Sequence, residues 1–376
     1  MKNISLYIHI PFCKQKCMYC DFPSYSGKDA LMEEYINALC KEIAREASKY
    51  SYNTVFIGGG TPSYLDEDNL EKLLKEINKL SLNRNLEFTM ECNPGSLTKE
   101  KLDIMKSYGV NRLSLGLQST KNSILKEIGR IHSFEEFKSN YSLAREMGFN
   151  NINVDTMFGL PNQSVEDFKN TLGEITELNP EHISAYSLII EEETAFYKLW
   201  EEDKLKLPSE DEEREMYEYC VDYLNEKGYL QYEISNFSKK DKECRHNKVY
   251  WELEEYLGCG SSSASLIDGK RIKNTEDIKE YIEAINSNKS AKIEIINLKE
   301  EDLIEEFMFL GLRKKEGIDE SIFKRKFNKE LDSIYEKVIK FHINEGLLVR
   351  EKGKIYLSKK GIELSNYVMK DFILDK

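Results

Sequence analysis

Residues 4–190 alternate between short β-rich runs and amphipathic helical patterns. Helical segments in this region begin after Asp66, Thr98 and Ser164, which are residue types that cap helix N-termini. Such alternation predicts βαβ units and a parallel sheet. Six units are too few for a closed eight-stranded barrel, so a doubly wound sheet and an open, partial (β/α)6 barrel are the candidate folds. The predicted strands are ISLYIHI, TVFIGGG, LEFTMECNP, RLSLGLQS, INVDTMFGL and HISAYSLII.

Unusual residues stand where these predicted strands end. A cysteine cluster follows the first strand, Gly58–Pro62 the second and Glu91–Pro94 the third. Gln118 follows the fourth strand, and Asp155 lies in the fifth. Barrel enzymes build their sites from the carboxyl ends of successive strands, which meet at one rim. A site supplied by five strands therefore favours the partial (β/α)6 barrel over a doubly wound sheet.

The pattern changes after about residue 207 and again near residue 297. A helix, the run YLQYEISNFS and an irregular stretch over 239–265 fill the middle segment. Helices followed by two short strands around a Glu-Lys-Gly-Lys turn resemble a winged helix in the last segment. We predict a core barrel over 1–207, a helix and strand extension over 208–296, and a helical, winged-helix-like domain over 297–376.

Composition narrows the function classes. The net charge is -13 and the pI is about 5.2, which argues against a general nucleic-acid binder. No run approaches the roughly 18 to 20 apolar residues of a membrane span. The N-terminus has the pattern of a strand and lacks the cleavage site of a signal peptide. We therefore expect a cytoplasmic protein, in which a cysteine cluster indicates metal or catalysis rather than disulfides.

The cysteine cluster is C-x3-C-x2-C, formed by Cys13, Cys17 and Cys20. Three thiolates at this spacing can hold three irons of a [4Fe–4S] cluster and leave the fourth iron open to a chelating ligand such as S-adenosylmethionine. Zinc is the alternative, because His9 could complete a Cys3His set. Zinc sites usually pair knuckles from separate turns, and His9 lies in mid-strand, so the spacing favours the cluster.

The run VFIGGGTPS brings three glycines to the end of the second predicted strand. Glycine lets the backbone approach a ligand without interference from a Cβ atom. Exposed N–H groups at such a turn can hold a carboxylate. A plain tight turn is the simpler explanation, but the position on the same rim as the cysteines favours a ligand site.

These motifs together resemble the radical S-adenosylmethionine superfamily. The finer pattern is similar to the branch that contains oxygen-independent coproporphyrinogen III oxidases and heme chaperones. The resemblance runs from residue 5 to about residue 260. The stretches that carry it are YIHIPFCKQKCMYCDF, FIGGGTPSYL, ECNPGSLT, NRLSLGLQS, GRIH, NINVDTMFGLPNQ, HISAYSLIIEEET, QYEISNFS and CRHNKVYWELEEYLGCG.

The resemblance implies roles for individual residues. It implies that the three cysteines bind a [4Fe–4S] cluster. Glu91 and Asp155 offer acceptors for amino and ribose hydroxyl groups, and Arg130 can hold a carboxylate in bidentate fashion. The residues that it assigns to S-adenosylmethionine are Tyr7, Gly59, Gly60, Thr61, Glu91, Gln118, Arg130 and Asp155.

Two features separate the branches. The oxidases resembled here carry a further cysteine two residues past the third, where this chain has Phe22. The stretch His246–Trp251, HNKVYW, resembles the HNxxYW motif of the heme chaperones, in which the histidine is implicated in heme binding. A structural histidine is the simpler explanation of His246. The family often has a histidine after YLGxG, where this chain has Ser261–Ser265, so heme ligation can differ in detail.

The resemblance leaves two functions open. A heme chaperone would bind heme and deliver it to acceptor proteins, with respiratory membrane enzymes as the expected class. An oxygen-independent coproporphyrinogen III oxidase would decarboxylate two propionates to give protoporphyrinogen IX, so enzymatic activity stays open. Either would draw on a low-potential electron donor, and a homodimer is compatible with both. A nucleic-acid module is disfavoured because the C-terminal region shows no basic stripe.

Overall fold

The computed structural model describes residues 1–374 of the 376-residue chain. Strands and helices are numbered separately in chain order. The strands are β1 Lys2–Ile10, β2 Tyr50–Gly59, β3 Ser81–Cys92, β4 Arg112–Gln118, β5 Ile152–Phe158, β6 His182–Ser187, β7 Leu230–Glu233, β8 Asn236–Ser238, β9 Tyr256–Cys259, β10 Ala264–Ile267, β11 Lys270–Asn274, β12 Lys292–Asn297, β13 Ile318–Asp319, β14 Leu348–Glu351 and β15 Lys354–Leu357. The helices are α1 Met32–Glu46, α2 Glu67–Ile77, α3 Lys99–Ser107, α4 Asn122–Glu127, α5 Phe134–Glu146, α6 Val165–Glu177, α7 Ala195–Glu201, α8 Glu210–Glu226, α9 Arg245–Trp251, α10 Ile278–Asn286, α11 Glu300–Leu312, α12 Glu320–Phe327, α13 Asp332–Asn344, α14 Lys359–Glu363 and α15 Ser365–Lys370.

The main sheet has the order β12-β11-β10-β9-β1-β2-β3-β4-β5-β6-β8-β7. Its centre, from β9 through β1 to β6, is parallel, and both ends are antiparallel. The six strands predicted from sequence are confirmed and lie in chain order. Their order never reverses, so there is no switch point of the kind that a doubly wound sheet needs. The partial barrel is the fold that the sequence predicted.

The two faces of the central strands differ in polarity. Leu6, Ile8 and Ile10 of β1 are fully buried and alternate with Ser5, Tyr7 and His9. The apolar residues of β1 pack in one core with the buried residues of α1, which recur at helical spacing. The polar set lies opposite Thr54, Phe56 and Gly58 of β2 in the parallel register. Helices therefore cover the outer face, and the inward face is left for polar chemistry.

The stretch 239–265 was predicted to be irregular, and this prediction is wrong. It contains α9, β9 and β10, and β9 pairs in parallel with β1. No side chain at the N-cap position Cys244 caps α9. Glu87 of β3, which is far away in the sequence, caps this helix instead. Its carboxylate accepts hydrogen bonds from the N–H groups of Arg245 (3.0 Å) and His246 (2.9 Å). Such a tertiary cap leaves no local sequence signal.

The last segment has its own apolar core, which α11, α12 and α13 share with a sheet of order β13-β15-β14. The predicted hairpin is confirmed, with Lys352 and Gly353 both at positive φ in its two-residue turn. Arg313 links this core to the barrel, because its guanidinium lies 4.6 Å from the ring centre of Trp251. Among residues 1–374, no helix is long and apolar enough to span a membrane.

Candidate cofactor site

The cysteine loop leaves the carboxyl end of β1 and is held on both sides. The N–H of Cys13 donates to the carbonyl of Tyr25 at 3.0 Å, and the N–H of Met18 donates to the carbonyl of Ile128 at 3.1 Å. These bonds anchor the loop to the rim before any ligand binds. The three thiols are therefore presented by a fixed backbone.

Each thiol of the loop has one polar side chain beside it. Burial raises the pKa of the Cys13 and Cys20 thiols, so a bound cation is needed to favour their thiolates. The neighbouring groups can donate to thiolate sulfur, as groups around iron–sulfur clusters do. The three pairs are Cys13 with Thr61 at 3.5 Å, Cys17 with Arg130 at 3.5 Å, and Cys20 with Ser24 at 3.9 Å.

His9 is engaged elsewhere. Its Nδ1 lies 3.0 Å from the hydroxyl of Tyr7, and its Nε2 lies 2.9 Å from the carbonyl oxygen of Pro23. Both ring nitrogens are thus committed, and burial lowers the pKa of the imidazole. A Cys3His zinc site would have to break one of these bonds, which disfavours the zinc alternative.

The glycine run packs directly on the cysteine loop. A Cβ atom on Gly60 would lie 2.9 Å from Cys13 Sγ and 2.8 Å from the carbonyl oxygen of Phe12. Gly59 has a φ of +113°, and a Cβ there would lie 2.5 Å from the His9 ring. These glycines therefore allow close packing against the cysteine loop and His9, and the expected approach to a ligand stays a prediction.

The expectation that the turn's N–H groups are free to hold a carboxylate is wrong. Gly59 N–H donates to Glu91 Oε2 at 3.1 Å. Gly60 N–H donates to the carbonyl of Ile10, and Thr61 N–H to that of Phe12, both at 2.8 Å. These N–H groups instead form hydrogen bonds that hold the ends of neighbouring strands together. Such tertiary contacts cannot be predicted from the sequence.

We expect Gly60→Ala to weaken metal loading of the cysteine loop by about tenfold or more, since even outer-shell changes at metal sites cost 10–100-fold. The reason is the overlap of the new methyl group with Cys13 Sγ. Iron content after anaerobic reconstitution measures the effect. Gly173→Ala in α6 is the matched control, because its Cβ would meet only the Tyr223 hydroxyl at 3.9 Å. Equal loading of both variants would contradict the expectation.

Glu91 lies at the end of β3 and faces the glycine turn. Loss of water around the carboxyl raises its pKa to about 8, and the neighbouring Asp155 adds to the rise. The hydrogen bond from Gly59 opposes this shift but does not cancel it. A cationic amino group beside Glu91 would restore its charge. The site is therefore suited to a ligand with an ammonium group.

Asp155 and Gln118 complete the far side of the rim. The Asp155 carboxylate accepts hydrogen bonds from Asn153 Nδ2 (2.7 Å) and Ser114 Oγ (3.2 Å), while burial raises its pKa. Gln118 stands at a positive φ of 73° where the register of β4 shifts against β5. Its Oε1 is buried without a hydrogen-bond partner. An orphaned amide oxygen at this rim fits a ligand that supplies a donor.

The Arg130 side chain donates hydrogen bonds to three acceptors in the site. One terminal nitrogen donates to Cys17 Sγ at 3.5 Å, and the other to Asn93 Oδ1 and the carbonyl of Gly116, both at 2.5 Å. Its Nε is buried without a partner. The predicted bidentate contact with a cofactor carboxylate stays a prediction. Asn93 was missed as a site residue, although it stands in the ECNPG motif directly after a predicted strand.

Tyr7 and His246 are brought into one aromatic column inside the barrel. The Tyr7 ring lies 6.3 Å from the Phe56 ring, and Phe56 stacks on His246 at 5.1 Å. Burial raises the pKa of Tyr7, and Glu91 adds to the rise. Tyr7 thus stands next to the rim, whereas His246 lies deeper, on the far side of Phe56 from Tyr7.

His246 is almost wholly buried, and both its ring nitrogens have partners. Nδ1 lies 2.8 Å from Thr54 Oγ1, and Nε2 lies 2.9 Å from the Tyr250 hydroxyl. Because Thr54 donates its own proton to Ser5, Nδ1 carries the hydrogen and Nε2 accepts from Tyr250. Burial lowers the pKa of His246 to about 3, so the ring is neutral. The predicted heme contact would first require Nε2 to leave Tyr250.

The residues present fit an open iron–sulfur cluster with a chelating cofactor. The three thiols lie in one loop, and a glycine stands beside Cys13 where a side chain would not fit. The buried atoms Gln118 Oε1 and Arg130 Nε have no hydrogen-bond partner within the described residues. Together with the partial barrel, these features define a radical S-adenosylmethionine scaffold. The model of the Radical SAM superfamily matches residues 7–175, and that of the HemN C-terminal domain matches residues 298–364.

Curated relatives identify the branch. The heme chaperone HemW of Bacillus subtilis (strain 168) is 40% identical over 98% of this chain and 99% of its own length. That of Lactococcus lactis is 39% identical over 100% of this chain and 98% of its own length. The chain therefore belongs to the HemW family of the superfamily, a family that implies a [4Fe–4S] cluster and S-adenosylmethionine.

A solved structure confirms the architecture. Coproporphyrinogen III oxidase (HemN) from Escherichia coli, described as a radical SAM enzyme, superposes with a TM-score of 0.87. It covers 99% of this chain and 90% of the other, at 25% identity. The fold is therefore common to the chaperone and oxidase branches, and only site details can separate their functions.

Proposed function

We propose that this protein is a heme chaperone that binds heme on a radical S-adenosylmethionine scaffold and delivers it to acceptor proteins. The observation that carries the proposal is identity of 39–40% over the full length of proteins named heme chaperone HemW. Phe22 supports it, because the oxidases resembled here carry a cysteine at that position. Phe22 is 61% exposed and carries no sulfur for a fourth bond.

The cofactor residues have assigned tasks in this proposal. Cys13, Cys17 and Cys20 hold the cluster, with Thr61, Arg130 and Ser24 stabilising charge on their sulfurs. When bound, such a cluster can supply an electron to S-adenosylmethionine. Glu91 receives the amino group of that cofactor, and Asp155 with Gln118 its ribose. Tyr7 packs beside it, Arg130 holds its carboxylate, and the Gly59–Thr61 turn leaves room for it.

Heme is proposed to contact His246 of the HNKVYW stretch. In the unliganded arrangement Nε2 accepts from Tyr250, so heme binding would exchange that hydroxyl for iron. The proposed acceptors of heme are respiratory membrane enzymes. The protein itself is proposed to be cytoplasmic and to receive electrons from a low-potential donor. A homodimer is part of the proposal, as is the division into segments 1–207, 208–296 and 297–376.

The test is heme uptake by anaerobically reconstituted protein, followed by the Soret band. We expect His246→Ala to weaken heme binding by at least about tenfold, or 1.4 kcal/mol. Tyr250→Phe is the matched variant, because it frees Nε2 without removing it and should bind heme at least as well as the wild type. Loss of heme in both variants, or in neither, would remove His246 as a ligand.

The oxidase is the alternative outcome, because the HemN structure shows that the same fold occurs in an oxidase. Coproporphyrinogen III, S-adenosylmethionine and a strong reductant are incubated with the loaded protein under anaerobic conditions. Formation of protoporphyrinogen IX would establish the oxidase. Heme transfer to an apo-acceptor with no decarboxylated product would establish the chaperone.

A further inference from the structure

Arg112 is a buried arginine to which the cofactor site gives no task. It begins β4, is 2% exposed, and turns into the barrel among charges from several elements. The charges are the carboxylates of Glu87 on β3 and Asp155 on β5. The Cys244 thiol before α9 and the Tyr232 hydroxyl on β7 also lie near it, and burial raises the pKa of both, so these two groups are neutral. The guanidinium is thus enclosed on several sides, and it keeps its charge in this environment.

The guanidinium of Arg112 forms no ion pair with a carboxylate within the described residues, and its Nε has no hydrogen-bond partner. The surrounding charges act on it through space, and the Nε is buried. Glu87 uses its oxygens on the N–H groups that begin α9, at 2.9 and 3.0 Å. Asp155 uses its oxygens on Asn153 and Ser114. Both carboxylates therefore serve other donors, and a buried cation without a carboxylate of its own is costly to keep.

Thr89 gives a second, independent observation beside Arg112. The two residues are direct partners in the β3–β4 register. Thr89 is fully buried, and its Oγ1 also lacks a hydrogen-bond partner. Unsatisfied buried polar groups are few in folded proteins, and two side by side indicate a partner that enters from outside.

We propose that Arg112 and Thr89 form a binding site for a carboxylate group inside the barrel, below the cofactor residues. The planar guanidinium fork matches a carboxylate in bidentate geometry, and the Thr89 hydroxyl can donate one more hydrogen bond. One cation and one hydroxyl suit a monovalent anion better than a phosphate dianion. Thr89 precedes Glu91 by two residues on the same strand face, so the site lies one layer beneath the rim.

This site is separate from the one that the resemblance assigns to the cofactor's own carboxylate. That contact is given to Arg130, which also reaches Cys17. Arg112 stands at the opposite end of β4 from Gln118. The carboxylate is therefore that of a second ligand, either a small free acid or the side arm of a larger molecule. The case of a porphyrin propionate rests on the proposed heme function.

The first arm uses acetate as the probe. Thermal unfolding of the full-length protein is measured in sodium acetate and in sodium chloride at equal ionic strength. Acetate should raise the melting temperature of the wild type relative to chloride, and Arg112→Met should lose that difference. Arg84→Met, which removes an exposed arginine of β3, controls for general charge and salt effects and should keep it. An equal acetate effect in wild type and Arg112→Met would overturn the site.

Thr89→Val keeps the test decisive if Arg112→Met fails to fold. Valine has the shape of threonine, so replacing the orphaned hydroxyl should not lower the stability of the unliganded protein. The apparent acetate affinity should fall by about tenfold or more, the value of one hydrogen bond to a charged group. Unchanged acetate affinity in Thr89→Val, with Arg112→Lys also unchanged, would contradict the proposal.

The second arm distinguishes the source of the carboxylate. Heme and heme dimethyl ester share iron and macrocycle, but the ester has no free carboxylate. If a propionate binds Arg112, wild type should prefer heme by about tenfold or more, and Arg112→Met should abolish that preference. A retained acetate effect without any heme preference assigns a small free acid. Absence of heme uptake with an intact acetate effect would defeat the heme function and leave this site standing.

Discussion

Replacing Cys17 with serine should reduce iron loading of the protein by more than a factor of about 100. Loss of an outer partner alone costs 10–100-fold at metal sites, and Cys17 is proposed as a direct ligand. Two remaining thiols cannot hold three irons of a cube. Arg130, which donates to Cys17 Sγ, would also lose its thiolate partner. Iron and sulfide content after anaerobic reconstitution measure the effect.

Cys40→Ser is the matched control, because Cys40 is a half-buried thiol on α1, outside the cysteine loop. It should load iron like the wild type. Zinc analysis of the same samples, together with a His9→Gln variant, tests the Cys3His alternative. Stoichiometric zinc that disappears with His9→Gln would replace the cluster by a zinc site, and iron loading unaffected by Cys17→Ser would remove Cys17 from the ligand set.

Glu91→Gln should make the free energy of unfolding of the unliganded protein much less dependent on pH. The folded-state pKa is about 8, above the ordinary value of 4.5. Between these values the folded protein retains a proton that the unfolded chain has released, so the wild type loses stability as pH rises. Glu91 as a residue is half-buried, so we expect a loss on the order of 3 kcal/mol between pH 5 and pH 8, below the full linkage value.

Urea unfolding at pH 5 and pH 8 gives the comparison. Glutamine cannot titrate, so Glu91→Gln should show a smaller decrease than the wild type, and it should be the more stable of the two at pH 8. Glu146→Gln, at an exposed carboxyl near the end of α5, should retain the wild-type dependence. Parallel pH profiles for wild type and Glu91→Gln would show that Glu91 is ionised in the folded protein.

The cysteine loop, the glycine run, Glu91 and Gln118 could be found from sequence because each stands at the end of a predicted strand. Alternation of polar and apolar residues identifies the strands. Because the carboxyl ends of parallel strands meet at one rim, the cysteines, the glycine run and the residues after β3 and β4 are then expected to lie together. Asn93 belongs to this group and could have been found in the same way. The cysteine spacing also indicated a cluster, whereas the roles of Glu91 and Gln118 came only through a family resemblance.

Residues inside the barrel could not be assigned from sequence in this way. His246 has the pattern of a heme contact, yet its ring is held between Thr54 and Tyr250, residues 192 positions before it and four after it. In the sequence, Arg112 has the position of an ordinary polar residue at the start of a strand. Its lack of an ion pair depends in part on Glu87 accepting the N–H groups that begin α9, more than 150 residues further along the chain, and this contact has no local signal.

The sequence by itself determined the order of the six core strands and the helices between them, the two-sided polarity of β1 and the cysteine loop, because these depend on periodicity and on neighbours along the chain. Only the tertiary structure decided that β9 joins β1, that Glu87 caps α9, and that Arg112 Nε and Thr89 Oγ1 lack hydrogen-bond partners. These features depend on which groups meet across the barrel and on which of their hydrogen bonds are already made.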